Sequence, residues 1–350
     1  MLSLSHSRSI KALLLTLLLT LAALLPACTE PMTYSGNIDD PYRNFDELAR
    51  IVSERYCFFR QKNVDWDALC REYRAQIKPD MTPLELFTLM SGLLDNLQDG
   101  HVNLNAPFAT SYYKKWWSEY PQDFDERVLQ EHYLHFGGLQ KGALTYCIFL
   151  PDTVGYLRIP SFSSTISPNT LNYVLSAMRP AKGLIIDIRD NGGGMLTNIS
   201  EVVSRFIDRR ITAGYVRHKV GPGHEDFSEP FAIEYDPAPD GYMTFLDKPV
   251  CVLTNRSCFS AANDFVAVMK QLDNVRIVGA RTGGGGGMPF SSELPNGWGI
   301  RFSACPINDS EDRITEFGID PSPDCEMHCT PAQFALGKDA ILDFAYTLLK

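Results

Sequence analysis

Apolar residues first fall into a regular rhythm near Asn44. Phe45, Leu48, Ile51, Val52 and Tyr56 repeat at the spacing of one helix face. Trp66-Asp-Ala-Leu69 opens a second helical pattern that runs through Tyr73 to Ile77. After the breaker Pro79-Asp-Met-Thr-Pro83, Leu86, Leu89, Met90, Leu93 and Leu97 form the stripe of a third helix. Residues 44–105 therefore read as an N-terminal helical subdomain. It ends where Asn96-Leu-Gln-Asp-Gly-His-Val-Asn-Leu104 changes from a helical to an alternating period across Gly100. Residues 106–143 are aromatic and charged, with Tyr112, Tyr113, Trp116, Trp117, Tyr120 and Phe124, and show no clean period. They read either as a surface insertion or as part of a groove.

From Leu144 the pattern alternates short apolar runs with helical stripes. Leu144 to Phe149, Val154 to Ile159, Gly183 to Ile188, Val250 to Leu253 and Val275 to Val278 predict strands. Thr170 to Met178, Ile199 to Ile207, Phe265 to Leu272 and Lys338 to Leu349 predict helices. Strands alternating with helices imply a mixed α/β core over residues 144–350, built on βα units. Residues 214–245, rich in Pro, Gly and His, read as an excursion from it.

One junction in that core has chemical potential. The strand Pro249-Val-Cys-Val-Leu253 leads through Asn255-Arg-Ser-Cys-Phe-Ser-Ala-Ala-Asn-Asp264 into the helix with Phe265, Val268, Met269 and Leu272 inward. Ser260 thus stands at a helix start, where unpaired N–H groups and the positive end of the helix dipole favour a developing oxyanion. The competing reading is an ordinary helix-capping Ser. Ser257 and Cys258 are the other hydroxyl and thiol of the turn. His101, directly after Gly100, is a candidate base at a strand–helix junction. Gly192-Gly-Gly194 and Gly283 to Gly287 each follow a strand. Neither has the Lys or the spacing of a phosphate loop, so they read as turns or as loops that let a peptide approach backbone N–H groups. Asp190-Asn191 reads as turn chemistry and Asp187 with Arg189 as a structural pair.

Composition changes the picture at the N-terminus. The 350 residues are 45% hydrophobic, enough for a full-sized core. Arg8 and Lys11 precede an unbroken apolar run from Ala12 to Leu25, a secretory signal too short to span a bilayer comfortably. Leu25-Pro-Ala-Cys28 resembles the lipobox of bacterial lipoproteins, which implies cleavage after residue 27 and a lipid on Cys28. Residues 28–43 would then tether the domain to the cell envelope, at the outer membrane on its periplasmic or surface face. Removing residues 1–27 takes away Arg8 and Lys11, leaving 30 basic residues against 42 acidic ones, a net −12. With no basic run, nucleic acid is excluded as a partner. No Cys or His spacing suits a metal, and no cofactor is indicated. Of the eight cysteines after Cys28, Cys325 and Cys329 are the expected disulfide pair.

Taken in order, Gly183-Leu-Ile-Ile-Asp-Ile-Arg-Asp-Asn-Gly-Gly-Gly194, Asn255-Arg-Ser-Cys-Phe-Ser-Ala-Ala-Asn263 and Val278-Gly-Ala-Arg-Thr-Gly283 resemble the S41 peptidases, which include the C-terminal processing proteases and the tricorn core protease. Tyr56-Cys-Phe-Phe59, Asp99-Gly-His101 and Gly318-Ile-Asp-Pro-Ser-Pro-Asp324 extend the likeness. The resemblance implies a ClpP/crotonase-like core and a serine peptidase in which Ser260 is the nucleophile. It also implies an oxyanion hole from the N–H groups of Gly193 and Ala261. Processing proteases use a Lys as base; that place falls at Gly285, and no Lys stands between Gly279 and Gly337. The tricorn-like branch uses a His and a supporting Glu, which implies His101 as base and Glu316, or secondarily Asp320, as the acid that orients it. Tricorn-like enzymes carry a Ser immediately before the His; here that residue is Gly100. Residues 106–143 occupy the place of a PDZ domain and are too few to form one, which favours short or extended peptides, or unfolded protein, over tail-specific processing. The alternative is a peptide-binding surface lipoprotein that has lost catalysis. An esterase on an α/β-hydrolase scaffold is disfavoured because no Gly-x-Ser-x-Gly elbow surrounds Ser260. Oligomeric state is not legible.

Overall fold

The computed structural model describes residues 36–350, so the signal segment, Cys28 and most of the tether lie outside the described residues. Residues 39–350 pack as one unit. Three helices open it: α1 (Pro41–Arg55), α2 (Trp66–Arg74) and α3 (Pro83–Asp95). Each starts at a side-chain cap. Asp40 accepts from the Tyr42 N–H, Asp65 from that of Ala68, and Thr82 and Glu85 form a reciprocal capping box. Their inward residues, among them Phe45, Leu48, Val52, Met90 and Leu93, close over Trp66 and Tyr56 in a core of their own.

Strands β1 (Asn103–Ala106), β2 (Ala109–Thr110), β3 (Leu139–Lys141), β4 (Leu144–Phe149) and β5 (Val154–Arg158) follow, with short helical turns at 115–118 and 126–133 between them. Next come α4 (Pro168–Ala177), β6 (Gly183–Asp187), α5 (Leu196–Val203), β7 (Ile211–Val216), β8 (Phe231–Tyr235) and β9 (Val250–Thr254). The chain continues with α6 (Ala261–Met269), β10 (Val275–Gly279), β11 (Gly287–Glu293) and β12 (Gly299–Asn308), and ends near helix α7 (Ala340–Leu349).

The first sheet runs β10-β9-β6-β5-β4-β3, with its four strands β10, β9, β6 and β5 parallel. Strands β5, β6 and β9 are buried at every position, as a sheet covered on both faces requires. Alternation still sorts their side chains. Leu157, Leu184, Ile186 and Val252 point into the core under α4, α5 and α6, while Tyr156, Ile185, Cys251 and Leu253 point to the core under α7.

The second sheet, β2-β1-β12-β7-β8 with β11 also on β12, joins strands from both halves of the chain. Residues 103–105 therefore pair with residues 299–301, and the helical subdomain shares its core with β12 through Ile300, Phe302 and Ala304. The period change at Gly100 marks where the chain leaves the helices and enters this sheet. Cys325 and Cys329 are both buried free thiols, so the expected disulfide is absent. The Asp187–Arg189 pair is structural: Arg189 is fully buried between Asp187 at 2.6 Å and Asp339 at 2.8 Å.

Candidate active site

Three loops leave the C-terminal ends of neighbouring parallel strands and meet at one point: residues 188–195 after β6, 255–260 after β9 and 280–286 after β10. Clefts at strand C-termini are where open α/β sheets bind ligands. Ser260 sits at that junction, immediately before α6, and its backbone is bracketed from both sides. The Phe259 N–H donates to Asn191 O at 3.1 Å, and the Ser260 N–H donates to Gly284 O at 2.8 Å. Ser260 has φ 57° and ψ −125°, a conformation non-glycine residues rarely adopt. Such strain costs about 1–3 kcal/mol and survives where the surroundings over-determine it. Its hydroxyl makes no capping bond to the helix, so the capping Ser of the competing reading is not what the structure contains.

His101 reaches Ser260 from the second sheet. Its Nε2 lies 3.0 Å from Ser260 Oγ. Strand register explains the other side of the ring. Asn103 pairs with Arg301, so the antiparallel register carried back two residues sets His101 opposite Ser303, and Ser303 Oγ lies 3.3 Å from His101 Nδ1. Ile300, Phe302 and Ala304 face the helical core, which turns Ser303 to the other face, where it is completely buried. The His101 N–H also donates to Asp99 Oδ1 at 2.7 Å. These contacts accommodate the tautomer a general base needs, in which Nδ1–H donates to Ser303 and Nε2 accepts from Ser260. Burial pushes the imidazole down to about 4, against the opposing pull of Asp99, so His101 is neutral at pH 7 and free to accept a proton.

Phe259 tilts against the His101 ring with centroids 4.7 Å apart, and Trp116 stacks on Phe259 at 4.2 Å. The aromatic segment 106–143 thus supplies a wall of the site. It also accounts for Gly100: a Cβ there would stand 2.6 Å from Trp116 Nε1 and 2.8 Å from Phe259 Cζ. A Ser at this position would require Trp116 or Phe259 to shift, and the hydroxyl at Nδ1 is that of Ser303.

Glu316 departs from the role expected of it. Its Oε1 lies 2.6 Å from Lys62 Nζ, and Lys62 also donates to Gln98 O at 2.9 Å. The hydrogen-bond partner of His101 Nδ1 is Ser303, not Glu316. Asp320 is farther from the role, paired at the surface with Arg281. Glu316, Lys62 and Asp99 form a buried charge cluster beneath His101. Burial and the charge of Asp99 push Glu316 up to about 8, with Lys62 pulling the other way. Asp99 is held below the usual carboxylate range: burial opposes its ionisation, and Lys62, His101 and hydrogen bonds from the His101 N–H and Ser303 outweigh it. At pH 7 the set carries one carboxylate, one ammonium and one proton on Glu316, which leaves it neutral.

Gly193 packs directly against Ser260. It has φ 96°, and a Cβ would meet Phe259 O at 2.7 Å and Ala261 N at 2.9 Å. Its N–H, however, donates to Asn191 Oδ1 at 2.9 Å, and of this loop's glycines it is Gly192 and Gly194 that line the cleft. Ala261 is the first residue of α6, with its N–H at the helix start beside Ser260. Cys258 is excluded as a nucleophile. It is fully buried, donates to Ile188 O at 3.0 Å, and burial pushes its thiol up to about 12. Ser257 lies in the preceding turn, half-buried. The roles that sequence reasoning missed belong to Ser303, Asp99 and Lys62. Only Asp99 carried a signal, as part of Asp99-Gly-His101. Among the described residues no cluster of His, Cys, Asp and Glu suits a metal ion.

Comparisons with known proteins identify the family of the chain. The profile of Peptidase family S41 matches residues 153–325, and that of the tricorn protease C1 domain matches residues 40–95. The crystal structure of a putative peptidase from Parabacteroides merdae is 42% identical and superposes with a TM-score of 0.84 over 89% of this chain and 96% of that one. Mature CPAF shares the fold at 12% identity, with a TM-score of 0.66 over 89% of this chain and 97% of that one. The carboxy-terminal processing protease CtpA of Bacillus subtilis is 26% identical over 178 residues, 50% of this chain and 36% of that one. The tricorn protease of Thermoplasma acidophilum is 25% identical over 200 residues, 56% of this chain and 17% of that one. The chain thus spans only 36% and 17% of these two curated relatives.

Proposed function

The chain belongs to peptidase family S41, and from that premise we propose that it is a serine peptidase using Ser260 as nucleophile and His101 as general base. The observation that carries the proposal is the 3.0 Å approach of His101 Nε2 to a strained, uncapped Ser260. His101 takes the Ser260 proton as Oγ attacks the peptide carbonyl, then returns it to the leaving amine. Water hydrolyses the acyl-enzyme with His101 again as base. The Ala261 N–H gives one oxyanion donor. The glycine loop 192–194 gives the other, and Gly193 serves in it by exchanging Asn191 Oδ1 for the developing oxyanion. Ser303 and Asp99 are positioning residues for the imidazole. Glu316 acts on it only through the charge cluster with Lys62.

The substrate in this reading is a short or extended peptide segment bound in the open cleft walled by Phe259 and Trp116. The alternative of a catalytically inactive binding lipoprotein gains nothing from a site in which nucleophile and base stand within hydrogen-bond reach. Reaction with a fluorophosphonate tests the reading. Label on Ser260, lost in Ser260→Ala and strongly reduced in His101→Ala, is the expected outcome; no label on folded protein refutes it.

The same proposal places the protein at the cell envelope through a lipid on Cys28. Metabolic labelling with a fatty-acid analogue that persists in Cys28→Ser would overturn that part alone. No described helix is long and apolar enough to cross a membrane.

A further inference from the structure

A second cavity, of about 190 Å³, adjoins the cleft that holds Ser260 and His101. The two share Leu196, Asp264 and Ile307 as common walls. Beyond those the smaller cavity is lined by the apolar Ala213, Ile233 and Val268, with the polar Tyr235, Thr197, Ser200 and Thr315 among its walls. Its volume equals about six waters at ~30 Å³ each, enough for one long side chain. Asp264 is the one charged residue in that lining.

Asp264 stands one helical turn after Ser260, with its N–H donating to Ser260 O at 3.0 Å. Helical side chains lean toward the N-terminus, so its carboxyl lies beneath the nucleophile on the same face of α6. The carboxyl has neither a hydrogen-bond partner nor an ion pair, and Oδ1 is buried. Burial alone pushes it up to about 7, and burial, helped by the charge of Asp264, raises the neighbouring Tyr235 phenol. It takes no part in the network of His101, Ser303 and Asp99. Leaving a carboxyl unpaired in an apolar cavity is costly, and a cation entering the cavity would remove the cost.

We propose that this cavity is the subsite for the substrate side chain on the acyl side of the scissile bond, and that Asp264 selects a basic side chain there, Lys foremost. The inference rests on the serine-peptidase reading above. A lysine suits the lining because its four-carbon stem packs on the apolar walls while its ammonium pairs with the Asp264 carboxyl in the wall shared with the cleft.

Peptidyl diphenyl phosphonates that differ only in the side chain next to phosphorus test it, with Lys, norleucine and Glu analogues compared. A fluorophosphonate without a side chain serves as the reference for the nucleophile. The expected result in the unaltered protein is labelling by the Lys analogue at least tenfold faster than by norleucine, with Glu slowest. In Asp264→Asn the Lys-to-norleucine ratio should fall to near one, and in Asp264→Glu a preference for Lys should persist. Norleucine equal to or faster than Lys in the unaltered protein overturns the inference. So does a ratio that Asp264→Asn leaves unchanged. If the fluorophosphonate itself fails to label, the peptidase reading falls and this one falls with it. A fluorophosphonate that labels while the Lys preference is missing defeats the specificity inference alone.

Discussion

The depressed basicity of His101 predicts an acid limb of activity far below that of an ordinary histidine. An imidazole at 6.5 would be about nine-tenths protonated at pH 5.5 and useless as a base. With His101 near 4, almost all of it stays neutral at that pH. The second-order rate of fluorophosphonate labelling should therefore be within about twofold of its plateau at pH 5.5 and halve only near pH 4. An ordinary histidine would give a fall of about tenfold at pH 5.5. The same group leaves a mark on stability. The unfolded chain binds a proton at His101 that the folded chain refuses, so stability gained from a neutral His101 is lost as pH falls from about 6.5 to about 4. A displacement of that size is worth about 3 kcal/mol. Glu316 has the opposite sign. Its raised value means the folded chain keeps a proton that the unfolded one releases, so its contribution is lost as pH rises from about 4.5 to about 8. Urea unfolding of His101→Ala against the unaltered protein, followed from pH 7 to pH 4, isolates the first effect. The unaltered protein should lose about 3 kcal/mol more than the variant over that range. A labelling limb at pH 6–7, or parallel stability curves for the two proteins, would refute the assignment of a buried neutral imidazole.

Other perturbations follow from the same geometry. Ser303→Ala removes a hydrogen bond worth about 1 kcal/mol to the base, and the labelling rate should drop about fivefold on a folded protein; an unchanged rate would mean that the ring needs no such support. Lys62→Met strands Asp99 and Glu316 without their cation, and urea unfolding at pH 7 should show a loss of about 3–5 kcal/mol. Gly193→Ala forces a Cβ to 2.7 Å from Phe259 O at a positive φ, so labelling should vanish while the circular dichroism of the fold is kept. Labelling of that variant at the normal rate would show that the glycine loop is not held against Ser260.

What the sequence made legible follows the range of the interactions involved. The helices α1 to α3 announce themselves through a period of apolar residues and local caps, both short-range properties. The strands β5, β6 and β9 read as continuous apolar runs because both faces of a parallel sheet are covered. Ser260 and the glycine loop 192–194 could be singled out because a strand, a tight turn and a helix lie next to one another in the chain. His101 stood out at the change of period after Gly100, but its role, and Asp99 with it, came with a resemblance. The second sheet was hidden, since nothing near residue 103 says that its partner is residue 301. For the same reason the support of the base was misassigned. Glu316 was expected at His101 and lies on Lys62, while Ser303, an unremarked residue in an alternating strand, faces the imidazole.

The misassignment has a physical logic that ties the departures together. Trp116 and Phe259 fill the space beside Gly100, so a hydroxyl-bearing residue before the base would displace one of these rings. The hydroxyl at Nδ1 comes instead from another element, and the register of β1 on β12 delivers Ser303 there. Asp99 and Glu316 beneath it are two buried carboxyls, which one cation and one proton together neutralise. Lys62 supplies the cation from the helical subdomain. The base of this site is thus held by residues from the loop between α1 and α2, from β12 and from the loop before β1, and the nucleophile by the parallel sheet. Catalysis on this reading requires the two sheets to be docked. A substitution that loosens the helical subdomain without touching the cleft should therefore silence Ser260 before it unfolds the parallel core.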